Sequence, residues 1–189
     1  LPPGPYETWK YQRNLINRYF QSWQWPEFGG INLNQKTWCD GPYGREQEFV
    51  GATLDNRNQL STEATARLLH SIIGGVSVSP ERSQAMMGLM QRRLDPAQLA
   101  ADPENQVTGF LGAGLPTHAQ LWSKAGLTSR VRHDAAYVEC GDCLPYLLVV
   151  FTEGQAHSDN PAILPFVSAQ ILTEIAAIAP SDLSPSDPM

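Results

Sequence analysis

From Tyr6 to Trp25, apolar side chains at Trp9, Ile16, Tyr19, Phe20 and Trp23 fall at the three-and-four spacing of an amphipathic helix, which Pro26 should end. No period is sustained from Glu27 to Gln59, where Gly29-Gly30, Asp40-Gly41-Pro42 and Asp55-Asn56 punctuate the chain. A loop of that length is uncommon in a compact domain and predicts a segment that lines something. Ser61 or Thr62 can cap the next helix, with Leu68, Leu69, Ile72 and Ile73 facing inward and Gly74-Gly75 as its stop. Ser79-Pro80 opens another, whose apolar face runs through Met86, Met87, Met90 and Leu94 and reads as core filling. A short turn is expected from Asp95 to Asp102 and a glycine-rich loop from Gly109 to Gly114. That loop lacks the Lys-Ser/Thr ending of a phosphate loop. The period then changes. Strands are predicted at Gln120 to Ser123, His133 to Glu139 and Leu144 to Thr152. Cys140-Gly141-Asp142-Cys143 is the tight connection that makes the last two an antiparallel hairpin. Pro161 to Ala179 carries a closing helix through Ile163, Phe166, Val167, Ile171, Ile175 and Ile178, and residues 180–189 read as a disordered tail. Helices, then an antiparallel sheet, then a closing C-terminal helix define an α+β fold.

Composition narrows the function classes. The 189 residues suffice for one domain with a sizeable core, at 42% hydrophobic and 17% charged. A net charge of -6 with no basic run disfavours nucleic acid as a partner. The longest apolar run, Tyr146 to Phe151, is strand length, far short of the roughly 20 residues of a membrane span. The Leu1-Pro2-Pro3-Gly4-Pro5 start, without an initiator Met, reads as part of a longer polypeptide. The 3 cysteines do not make a disulfide scaffold. Cys140 and Cys143 are either a disulfide or two free thiols, since a single Cys-x-x-Cys without two further ligands is weak evidence for zinc. Cys39 is expected to be a buried thiol. His70, His118, His133 and His157 show no i, i+4 pairing, so neither a metal nor a cofactor is expected.

Three blocks carry a resemblance. They are Leu121-Trp122-Ser123-Lys124-Ala125-Gly126-Leu127-Thr128-Ser129, His133-Asp134-Ala135-Ala136-Tyr137-Val138, and Pro145-Tyr146-Leu147-Leu148-Val149-Val150-Phe151-Thr152. In this order they resemble the C-terminal sheet of the serine β-lactamase and penicillin-binding superfamily. There a Lys-Thr/Ser-Gly strand edge precedes a strand beginning near His-Asp and a strand of the Pro-Tyr-Val-Leu-Val-Val-Tyr-Thr kind. The stretch from Asn56 to Ala66 resembles the family's Arg-Asp-Thr-Thr-Thr-Pro segment. The likeness runs in order over residues 55 to 179. It implies that residues 1–179 are the C-terminal portion of a single β-lactamase-like domain.

The resemblance implies a serine hydrolase that transfers an acyl group from an amide or ester with a nearby carboxylate, with β-lactams and peptidoglycan-like compounds as the candidates for that substrate. Lys124 is the implied electrostatic anchor, and Gly126 permits close backbone approach. Ala125 stands where the family has a hydroxyl; Thr128 or Ser129 could supply one from nearby, and Arg130 or Arg132 a cation. No Ser has Lys three residues later, so the Ser-x-x-Lys nucleophile is expected upstream, in an N-terminal half that is this chain's principal partner. Ser158-Asp159-Asn160 spells the family's second motif, but after the sheet, and reads as a turn before Pro161. The loop that carries Glu-Pro-x-x-Asn in β-lactamases holds only Arg45-Glu46-Gln47-Glu48-Phe49 here, with Glu46 and Glu48 as possible bases. Extracytoplasmic location follows from the resemblance. A catalytically inactive binding or scaffold protein of the same fold, and a redox or metal module centred on Cys140 and Cys143, are the competing readings.

Overall fold

The computed structural model describes residues 4–34, 42–141 and 143–178. The chain divides into two units, residues 1–65 and 66–189. The expected tail at 180–189 and the buried thiol at Cys39 lie outside the described residues.

In the first unit the helix expected from Tyr6 to Trp25 is broken into α1 (Tyr6–Arg13) and α2 (Leu15–Ser22). The break is Asn14, at ψ 13°, whose side-chain amide donates to the Lys10 carbonyl and competes with the helical ladder. A 3-10 turn follows at Pro26–Phe28. It brings Phe28 against Phe20 at 4.8 Å and Trp25 at 5.8 Å between ring centres, with Trp23 edge-on.

The segment read as irregular also contains structure. Asn32 and Gln59 form an antiparallel bridge, and α3 (Arg45–Val50) buries Phe49 and Val50. Gly44 (φ 57°) and Gly51 (φ 81°) flank α3 in backbone conformations that a side chain would strain. Six residues are too few to show a helical period, which is why the pattern does not reveal it. Five asparagines tie these pieces together. Buried Asn17 donates to Asn14 at 3.1 Å and Asn32 at 2.8 Å, while its carbonyl oxygen accepts from the Leu33 amide at 2.6 Å. Asn34 donates to Asn14 at 3.2 Å, and its backbone amide donates to Asn58 at 3.1 Å.

Helix α4 (Thr62–Ile73) opens at Ser61, whose hydroxyl accepts from the Ala64 amide at 3.0 Å. It buries Leu69 and Ile72, while Leu68 and Ile73 are half-buried. In the second unit, α5 (Pro80–Met90) is capped by Ser79, which accepts from Arg82 at 3.2 Å. Met86, Met87 and Met90 are half-buried; Leu94 is core but lies beyond the helix. Between them a two-residue strand, β1 (Gln91–Arg92), was not foreseen. Helix α6 (Pro96–Ala101) is capped by Asp95, and the glycine-rich loop forms a buried 3-10 turn at Leu111–Gly114.

Strands β2 (Gln120–Leu127), β3 (Arg132–Glu139) and β4 (Tyr146–Phe151) follow, then α7 (Gln155–Ser158) and α8 (Ile163–Ala177). The sheet is antiparallel throughout, in the order β1-β2-β3-β4. β2 runs four residues past its expected end at Ser123, so Lys124, Ala125 and Gly126 lie within a strand. Pairing alternates two faces. One carries Leu121, Ser123 and Ala125 opposite Val138, Ala136 and Asp134, and joins Leu111, Tyr146 and Leu164 in the core. The other carries Trp122, Lys124 and Gly126 opposite Tyr137, Ala135 and His133. β4 presents apolar residues to both faces, which accounts for its unbroken apolar run. Ser158 ends α7 fully buried, donating to the Thr128 and Val131 carbonyls, so it anchors the β2–β3 turn. Asn160 closes its turn by accepting from Ala162 at 3.0 Å.

Candidate functional site

β1 pairs only with Leu121 and Trp122, which leaves the β2 edge from Ser123 to Leu127 unpaired among the described residues. The Thr128 amide donates to Val131 at 2.9 Å across the hairpin, so Thr128, Gly126 and Lys124 aim their backbone groups at β3. Alternation turns those of Ser123, Ala125 and Leu127 outward. Two of these outward carbonyls are engaged by cations: Ser123 by Arg92 at 3.0 Å, and Ala125 by the Lys124 ammonium. Beside the edge lies a groove of about 380 Å³, lined by Gln106, Thr108, Ala125, Gly126, Leu127 and Arg132 among others. Gly126 has only the His133 Cβ within 4 Å of a notional side chain, so the sheet face is open there.

The predicted site residues separate into three groups. Lys124, exposed, and Gly126 lie on the open edge. Thr128, Ser129 and Arg130 lie in the exposed turn, where the Thr128 hydroxyl accepts from the Arg130 amide at 3.2 Å. Arg132 is buried at the groove's floor. Its Nε donates to the Ser158 carbonyl at 2.9 Å and its Nη1 to Gly109 at 3.2 Å, and it stands 5.2 Å above the Phe110 ring. Ala125 faces the core and offers the groove no hydroxyl. Glu46 and Glu48 belong to the first unit, on α3, where Glu46 pairs with Arg13 at 3.0 Å.

Sequence reasoning passed over the groups that tune this edge. Asp134, directly across from Ala125, is fully buried. Burial pushes its carboxyl up to about 6, opposed by the Leu111 amide that donates to it at 3.1 Å, by the Ala135 amide, and by the charges of Arg92 and Lys124. Arg92 also donates to Gln106 at 2.9 Å, fixing the groove wall to β1. Neither role has a local signal, because the partners are 14 and more residues away. His133 accepts from the Thr152 amide at 3.1 Å and lies 4.4 Å from the Phe151 ring; burial lowers its pKa. Tyr137 is pushed up to about 12 by burial and by its 2.7 Å bond to Glu139.

Cys140 and Cys143 are joined in a disulfide, which resolves the two states left open above. Among the described residues no three His, Cys, Asp or Glu side chains gather as a metal site would need, and no helix is long and apolar enough to cross a membrane.

An α+β unit whose antiparallel sheet presents a lysine-bearing open edge, closed by a C-terminal helix, has the architecture of the serine β-lactamase-like superfamily. A family model described as the β-lactamase enzyme family matches residues 10–175, and the chain belongs to that family. Among solved structures, a PBP-A mutant in acyl-enzyme complex with penicillin G superposes with a TM-score of 0.60 at 18% identity, covering 86% of this chain and 51% of its own. The class A β-lactamase of the last common ancestor of Gram-negative bacteria gives 0.55 at 21% identity, covering 84% and 53%. The β-lactamase of Sphaerobacter thermophilus gives 0.51 at 18%, covering 67% and 44%. The chain thus spans about half the length of these structures. No curated protein matches it.

Proposed function

We propose that this chain is the C-terminal portion of a serine acyl-transfer hydrolase, whose nucleophile lies in an upstream half. The observation that carries the reading is the outer edge of β2, unpaired from Ser123 to Leu127 among the described residues, which holds Lys124 and Gly126 beside a groove that would seat an extended amide or ester. The outward amides of Ala125 and Leu127 would pair with the substrate's main chain, and the Lys124 ammonium, released from the Ala125 carbonyl, would hold its carboxylate. Membership of the family supports hydrolase chemistry of this kind. The disulfide supports an extracytoplasmic setting, where such bonds form.

A second reading, a binding protein of the same fold without catalysis, is favoured by two observations. Ala125 removes the expected hydroxyl, and Arg132 is held by two carbonyls at the groove floor.

The test is second-order acylation of the complete protein by a β-lactam, wild type against Lys124→Ala. Loss of a charge-assisted contact made in the transition state is worth about 2 to 4 kcal/mol, so acylation should slow roughly 30- to 1,000-fold. The melting temperature should hold, because the ammonium is exposed and packs little. Equal rates with equal melts would remove Lys124 from the site. No acylation of the wild type would favour the binding reading.

A further inference from the structure

At the far end of the β3–β4 hairpin from the groove, the disulfide joins Cys140 to Cys143 across a sequence separation of 3, with Cα atoms 5.3 Å apart. Its structural contribution is small on two counts. The chain-entropy benefit of a cross-link grows with the loop it closes, and this loop is among the shortest possible. The turn is also closed without it, by the Cys143 amide donating to the Cys140 carbonyl at 3.2 Å, and the ladder beyond runs from Val138↔Tyr146 to His133↔Phe151. Neither cysteine is fully buried, although both touch the rim of the core, and exposed Gly141 puts no side chain between them and solvent. Spacing of this kind also keeps two thiols adjacent after reduction, so that reoxidation is intramolecular and fast.

We propose that Cys140 and Cys143 form a reversible thiol–disulfide exchange site that takes electrons from a dithiol reductant. One thiolate of the reductant attacks one protein sulfur, breaking the S–S bond and forming a mixed disulfide. The reductant's second thiol then displaces the protein sulfur. The protein gains two electrons and two protons as two thiols, and the reductant leaves as its cyclic disulfide. The hairpin stays paired throughout. Glu139, the last residue of β3, is opposite Gln120, seven residues and so roughly 20 Å along β2 from Leu127, which separates this site from the groove.

The experiment treats the full chain with dithiothreitol under native conditions, alkylates it, and maps each cysteine by mass spectrometry so that Cys39 is read separately. Circular dichroism is followed on the same samples. The expected result is gain of one alkyl group on each of Cys140 and Cys143 with the sheet signal unchanged, and, in a reduced portion that is not alkylated, recovery of the disulfide on adding oxidised glutathione. In Cys143→Ser, glutathione should be trapped on Cys140 as a mixed disulfide. Alkylation that appears only together with loss of the sheet signal would make the bond a static cross-link and overturn the proposal. Should the variant fail to fold, native alkylation of the wild type decides alone.

Discussion

Asp134 is fully buried, on the strand paired with the one that carries the open edge, and its carboxyl is raised to about 6 because the core disfavours its charge. The folded state therefore holds the proton more tightly than the unfolded chain, whose carboxyl titrates near 3.8. The stabilisation is fully present below that lower value and is lost as pH rises through about 6. Above it the buried charge costs roughly 3 kcal/mol. Asp134→Asn keeps an oxygen for the Leu111 amide and abolishes the charge, so it should raise the melting temperature by several degrees at pH 8 and by almost nothing at pH 4. Melting curves across that range check it; a variant less stable at pH 8 would mean that Arg92 and Lys124 outweigh the desolvation. In the first unit, Asn17→Ala would strip the Leu33 amide of its partner, while the Asn32 oxygen would keep the Asn34 amide as its donor. One amide left unsatisfied costs about 1 to 3 kcal/mol when buried, and Leu33 is half-buried, so urea unfolding should show a loss at the lower end of that range.

Glycines report how tightly elements meet. A Cβ on Gly114 would press far inside contact of the Pro165 carbonyl oxygen, 2.9 Å from Ser168 Cβ and 3.0 Å from the Ala169 amide, all on α8. Backbone cannot yield as a side-chain end can, so Gly114→Ala should destabilise by about 3 kcal/mol. Gly88, within α5, has nothing within 4 Å, and Gly88→Ala should stabilise by roughly 0.5 to 1 kcal/mol by restricting the unfolded chain. The two melts, measured side by side, test whether the buried 3-10 turn is clamped by α8. Elements with their own period were legible in the sequence: the β3–β4 hairpin, α8, and α5 with its Ser79 cap. Those whose existence depends on a distant partner were not. β1 is a strand only because Leu121 and Trp122 pair with it, and α3 is too short to have a period. The same distinction governs the candidate site. Lys124 and Gly126 stand out from their neighbours in the chain, whereas the burial of Arg132 is decided by Gly109 and Ser158, each more than 20 residues away.

At the scale of the whole molecule, the described residues hold a groove and a cation without a nucleophile placed to use them. Its lysines are Lys10, Lys36 and Lys124, and none has a serine three residues before it. The serines nearest the edge are poor substitutes. Ser123 has its hydroxyl on the buried core face, Ser158 donates to two carbonyls, and Ser129 lies in the surface turn. A serine hydroxyl becomes nucleophilic only beside a base, and among the described residues none stands within hydrogen-bond reach of these three. Lys124 itself bonds to the Ala125 carbonyl of its own strand. When the complete protein is exposed to a penicillin and digested, the acyl adduct should therefore map outside Leu1 to Met189, to a serine followed three residues later by lysine. Within the chain the expected occupancy is nil at every serine. An adduct on Ser123, Ser129 or Ser158 would show that the groove activates a serine of its own, and the proposal of an upstream nucleophile would fall.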